Sequence, residues 1–200
     1  MIEGFNDIQK KFQEILNTKN WNKLLEDFKK ADKIYLIGNG GNWAICSHGA
    51  CDMNRLFSRF NINKLVMSLD SQSMITSISN DFGYNHLFTK WLDTFEKTDS
   101  IGKNPLIIGV SCSGTSKNIV SPLFWANKKK YNTCLISGIK STILGKETNE
   151  IVIDTNYFHT GEILTLMLFY ELIHYMGAKC PLIKDEIIRK GTAQPLARNI

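Results

Sequence analysis

Apolar residues recur along this chain in two alternating rhythms. Ile2, Phe5, Ile8, Phe12, Ile15 and Leu16 stand three and four apart with Lys, Gln and Glu between them, the spacing of an amphipathic helix over residues 2–17. Trp21, Leu24, Leu25 and Phe28 repeat that spacing to residue 30, with Asn20 offered as the N-cap. Short apolar runs then take over at residues 33–37, 64–68, 105–110, 133–137 and 150–154. They are separated or followed by helical stretches at 42–57, 71–79, 86–96, from beyond Ser116 to about 128, and 160–176. Pro105-Leu106-Ile107-Ile108-Gly109-Val110 is apolar throughout, as in a strand covered on both faces. Strands alternating with helices predict an α/β fold with a parallel sheet of about five strands flanked by helices. The two helices ahead of the first strand have no sheet of their own, which predicts that they pack on a second subunit. One domain spans 1–200, divided into N-terminal helices (1–30), an α/β core (33–176) and a tail (177–200) expected to lie partly across a neighbouring surface.

Composition narrows the class. The 200 residues are 43% hydrophobic and 22% charged, those of an ordinary globular protein, and the net charge of +5 suits an anionic small ligand. Lys128-Lys129-Lys130 reads as a solvated helix end, and no dense basic patch points to nucleic acid. No apolar run reaches the ~18–20 residues of a membrane helix, and residues 1–11 lack the apolar core of a signal peptide. Five cysteines without a Cys-x-x-Cys pair predict free thiols in a reducing compartment, hence a cytoplasmic protein.

Two polar loops carry the chemistry. Gly38-Asn39-Gly40-Gly41 follows the first strand and opens a helix, so its backbone N–H groups form a seat for an anion. Ser111-Cys112-Ser113-Gly114-Thr115-Ser116 follows the third strand in the same way and adds hydroxyls that can surround phosphate oxygens. Ligands of such sheets bind beyond the carboxyl ends of the strands. Trp43 stands where a dinucleotide fingerprint needs glycine, and Gly145-Lys146-Glu147 lacks the Ser or Thr of a P-loop, so no nucleotide cofactor is expected. His48 and Asp52 lie four apart on one helix face, a spacing that can share a cation.

Three ordered blocks carry a family resemblance: Gly38 to Gly41 with His48; Ser79-Asn80-Asp81-Phe82-Gly83-Tyr84; and Gly109-Val110 with the serine loop through Asn118. Over residues 1–176 the chain resembles the sugar isomerase (SIS) family, and within it the phosphoheptose isomerases. The resemblance implies a three-layer sandwich and a homotetramer. It also implies isomerisation of sedoheptulose 7-phosphate to D-glycero-D-manno-heptose 7-phosphate through an enediol, towards lipopolysaccharide heptose. By the same resemblance Ser111, Ser113 and Ser116 hold the phosphate with Cys112, a further substrate-binding candidate, between them, Asn39, Gly40 and Gly41 line the sugar, and Asn80 and Asp81 contact its hydroxyls. His48 falls at a zinc-ligand position, and Asp52 at that of a glutamate which is both ligand and base.

The last helix of the family begins with a glutamine and carries a histidine eight residues later; this chain has no such pair. Glu162 at the glutamine position puts Tyr170 at that of the histidine, whereas His159 there would put Met167. The first alignment makes Glu162 the second catalytic candidate beside Asp52. An alternative of another class is a non-catalytic SIS module that binds a sugar phosphate or a protein, such as the relative associated with the bacterial replication initiator.

Overall fold

The computed structural model describes residues 3–183. Two helices, α1 (Phe5–Leu16) and α2 (Lys19–Lys30), precede the first strand. Then follow β1 (Lys33–Gly38), α3 (Gly41–Arg59), β2 (Leu65–Ser68), α4 (Gln72–Phe82), a 3-10 turn (Tyr84–His86) and α5 (Leu87–Lys97). The chain continues through β3 (Pro105–Ser111), α6 (Lys117–Lys128), β4 (Asn132–Ser137), β5 (Asn149–Val152) and α7 (Phe158–Tyr175). The five strands form one parallel sheet in the order β2-β1-β3-β4-β5.

Successive strand residues face opposite sides, and each side has its own helices. Ile34, Leu36, Leu106, Ile108, Val110, Ile136 and Ile151 pack beneath α1, α2, α3 and α7. Tyr35, Ile37, Ile107 and Leu135 pack beneath α4, α5 and α6. Both faces are covered, which is why the strands read as continuous apolar runs.

The N-terminal helices correct an expectation. They cover this chain's own sheet: Trp21, Leu24 and Phe28 of α2 and Ile15 of α1 are buried with the α3–α7 layer. The cap of α2 is Thr18, whose hydroxyl accepts the Trp21 N–H at 3.0 Å. Asn20 instead pairs with β5, donating to the Glu150 carbonyl at 2.8 Å while its own carbonyl accepts from Asn149. Helix α4 also runs further than its pattern suggests, through Asn80-Asp81-Phe82, and stops at Gly83 (φ 82°), a conformation that favours glycine. Helix α7 begins at Phe158, two residues ahead of the expected start at 160. The expected crossing tail falls for the most part outside the described residues. Among the described residues no helix is long and apolar enough to cross a membrane.

Candidate functional site

From β1 the chain turns to β2 on one side and returns to β3 on the other, so the sheet changes direction between β1 and β3. The crevice at such a switch point is where ligands of these sheets bind. The glycine loop leaves β1 there and the serine loop leaves β3, with Gly38 and Val110 in register. Gly40 turns the chain into α3 at φ 55°. Gly38 lies so close to α3 that a Cβ would come 2.8 Å from the Asn42 backbone.

The two loops are stitched together. Asn39 Nδ2 donates to Asn118 Oδ1 at 3.0 Å, and Asn118 Nδ2 donates back to Asn39 Oδ1 at 2.7 Å. Tyr84 Oη donates to that same Asn39 oxygen at 2.8 Å. The Asn-Asp-Phe-Gly-Tyr block therefore reaches the site through Tyr84. Asn80 and Asp81 lie exposed at the end of α4 and bond each other at 3.0 Å. With the Asn39 oxygen accepting twice, the loop offers a ligand mainly its backbone and one amide N–H.

In the serine loop, Ser111 Oγ donates to Ser116 Oγ at 3.1 Å, and the Thr115 N–H reaches Ser113 Oγ at 3.3 Å. These hydroxyls stand at the N-terminus of α6, where the helix dipole favours an anion. Cys112 is turned the other way: its Sγ accepts from Asn42 Nδ2 at 3.4 Å and packs on Gly161. Its thiol packs against α3 and α7, behind the loop.

The amino end of α3 has a different neighbour. A Cβ on Gly41 would sit 2.1 Å from Glu162 Oε1, so the Glu162 carboxylate lies directly on the glycine turn. His159 stands 3.6 Å from that carboxylate, at its outer edge. The positive end of α3 faces a side-chain carboxylate while that of α6 faces hydroxyls, so an anion meets less repulsion at the serine loop.

Further along the same two helices, His48, Asp52 and Tyr170 converge. His48 Nε2 lies 3.2 Å from Tyr170 Oη and 3.4 Å from Asp52 Oδ2, and Tyr170 Oη lies 3.3 Å from Asp52 Oδ2. Burial, the Asp52 charge and the contact with Asp52 push the Tyr170 hydroxyl above its ordinary pKa. Between the two clusters Gly49 lies on Phe169; a Cβ there would come 2.5 Å from the ring. That contact sets the rotation of α7, so Glu162 and Tyr170, eight residues apart, face α3 together. A cleft of about 1200 Å³ lined by Asp52, Arg55, Tyr170, His174 and Cys180 opens beside the second cluster.

The fit of a metal follows from the donor set. Among the described residues no three His, Cys, Asp or Glu side chains are grouped to hold one. His48 and Asp52 nevertheless stand at the separation two ligands of one tetrahedral ion adopt, and Tyr170 adds an oxygen at matching distances. The set fits.

No family model matches the chain. It is 32% identical over 145 residues to phosphoheptose isomerase of Leptospira biflexa, covering 70% of this chain and 72% of that protein. The chain belongs to the phosphoheptose isomerase family. The family likeness extends at 26% identity over 172 residues to phosphoheptose isomerase of Neisseria meningitidis, 84% of this chain and 81% of the relative. The fold matches a solved phosphoheptose isomerase from Francisella tularensis with a TM-score of 0.74 at 15% identity, over 86% of this chain and 93% of the other.

Tyr84 and Asn118 are the site residues to which motif reading gives no role, and Tyr170 appears there only as the residue opposite the family's histidine. Tyr84 and Asn118 close two of the recognised blocks, and Tyr170 stands eight residues after Glu162; those positions were the available signal.

Proposed function

We propose that the chain is a phosphosugar aldose–ketose isomerase that converts sedoheptulose 7-phosphate to D-glycero-D-manno-heptose 7-phosphate through an enediol. The observation that carries this reading is the placement of Glu162 on the glycine turn at the sheet switch point where the serine loop also leaves its strand, in a member of the phosphoheptose isomerase family.

The phosphate is held by Ser111, Ser113 and Ser116 with the backbone N–H groups at the start of α6. The glycine loop, fixed by Asn118 and Tyr84, lines the sugar. Isomerisation removes a proton from C1 of the ketose, transfers protons between O1 and O2, and returns a proton to C2. Glu162, held against Gly41, serves as the carbon base, because Asp52 is engaged with Tyr170 and His48. Asp52 and its neighbours face the substrate oxygens. His48 and Asp52 would hold a zinc-type ion, which would supply electrostatic stabilisation of negative charge developing on the substrate oxygens.

Incubating the purified protein with sedoheptulose 7-phosphate, with and without added zinc, and resolving the products tests this reading. The expected result is the aldose 7-phosphate, lost in Glu162→Gln. A stabilising shift in Tm with sugar phosphates but no turnover under either condition replaces it with the non-catalytic, sugar-phosphate-binding reading.

A further inference from the structure

The serine loop is held from behind at two of its carbonyls. Strands β3 and β4 stay in register as far as Ser111 and Ser137, so the segment that follows β4 lies alongside the loop. The Cys112 carbonyl accepts the N–H groups of Gly138 and Ile139, at 3.0 and 3.1 Å. The Gly114 carbonyl accepts the Ser141 hydroxyl at 2.6 Å. Ser141 is fixed in turn by β5: its N–H donates to Glu150 Oε1 at 2.7 Å, and the buried Ser137 hydroxyl donates to the same oxygen at 3.0 Å. A Cβ on Gly114 would come 3.1 Å from Ser141 Cα, so the two segments meet backbone to backbone.

A trans peptide unit points its N–H opposite to its C=O. With the Gly114 carbonyl turned to Ser141, the Thr115 N–H faces the other way, towards the exposed Ser113 hydroxyl at 3.3 Å. With the Cys112 carbonyl tied to Gly138 and Ile139, the Ser113 N–H likewise faces away from β4. N–H groups turned to one side of a loop form an anion-binding concavity, and fixing them beforehand removes the cost of ordering them when a ligand arrives. We propose that Glu150 is a positioning residue for the phosphate seat, acting through Ser141 to aim the Thr115 N–H at a phosphate oxygen. The proposal rests on the isomerase reading for the ligand, a sugar phosphate. Glu150 itself lines a different cleft, of about 370 Å³, with Lys23 and Lys140, so it reaches the seat through the segment after β4.

The test pairs backbone order parameters of the ligand-free, full-length protein, measured by nuclear magnetic resonance, with isothermal titration of sedoheptulose 7-phosphate and of unphosphorylated sedoheptulose. In Glu150→Ala the order parameter of the Thr115 amide is expected to fall from about 0.85 to below about 0.6. Affinity for the 7-phosphate should drop about tenfold, the effect of one hydrogen bond to a charged group, with that for the unphosphorylated sugar unchanged. Glu150→Gln keeps the accepting oxygen and restores both values. Ser141→Ala, which leaves Ser137 paired with Glu150, reproduces both losses and replaces Glu150→Ala should that variant fail to fold. Unchanged order or affinity in the alanine variants, equal losses for the two sugars, or a Glu150→Gln as weak as Glu150→Ala overturns the proposal. A parent that turns over the 7-phosphate while the alanine variants keep its affinity overturns this proposal alone. A parent that binds the 7-phosphate without turnover overturns the isomerase reading alone, and one that does not bind it overturns both.

Discussion

Asn39 and Asn118 face each other across the carboxyl ends of β1 and β3 and exchange two amide hydrogen bonds, at 3.0 and 2.7 Å. Asn118 is buried, so truncating it leaves the Asn39 amide without that partner, at about 1–3 kcal/mol. Asn118→Ala is expected to lower stability by that amount in urea unfolding. It should also raise KM for the sugar phosphate, because the two loops are no longer tied. Tyr84→Phe removes one donor to the same oxygen and should give the milder form of both effects.

Gly41 has no room for a side chain because Glu162 occupies the space. In Gly41→Ala the flexible end of Glu162 must move while the helix persists. A shift on the order of 1 Å at a reacting group costs about a hundredfold in rate. We expect kcat for sedoheptulose 7-phosphate to fall by about that factor, with far-ultraviolet circular dichroism unchanged.

Gly49 is the matching case inside the core. The atom a new Cβ would meet belongs to the buried ring of Phe169. Overpacking of this kind costs about 1–3 kcal/mol, against about 1 kcal/mol gained from alanine's helix propensity. Gly49→Ala is expected to lower Tm by a few degrees or less. By turning α7 it should also weaken the Tyr170–Asp52 contact, read as a fall of the Tyr170 pKa towards its ordinary value in an ultraviolet titration.

Ser113 tests the phosphate seat. A hydrogen bond to a charged group contributes about 1.5–3 kcal/mol. Ser113→Ala should therefore raise KM for the 7-phosphate at least about tenfold and leave binding of the unphosphorylated sugar unchanged, as measured by isothermal titration.

Asp32 links the fold to pH. Burial raises its pKa, but hydrogen bonds from the backbone N–H groups of Lys103 and Asn104, both at 2.8 Å, and of Lys33 at 3.1 Å outweigh it and hold the carboxyl below its ordinary value. A depressed folded pKa adds stability at pH values above the unfolded pKa of about 3.9. That stability is lost as pH falls through the folded value. Asp32→Asn is expected to be less stable than the parent at pH 7 by about 1–3 kcal/mol. The gap should narrow once pH falls below about 3.9, as followed by urea denaturation from pH 7 into that acid range.

Sequence by itself determined the strand–helix alternation, the parallel sheet and the two polar loops, because each of these is a local pattern. A period of two or of 3.6, or a glycine at a strand end, is visible without knowing what lies opposite. The tertiary structure decided the rest. Helix α7 is apolar nearly all round, so its pattern carries no phase, and whether Glu162 with Tyr170 or His159 with Met167 would face the site was set only by Phe169 packing on Gly49. The amphipathic faces of α1 and α2 were legible, but not their partner, which is this chain's own sheet layer. Tyr84 and Tyr170 joined the site through contacts 45 and 118 residues away in the chain, and contacts that long are made by packing.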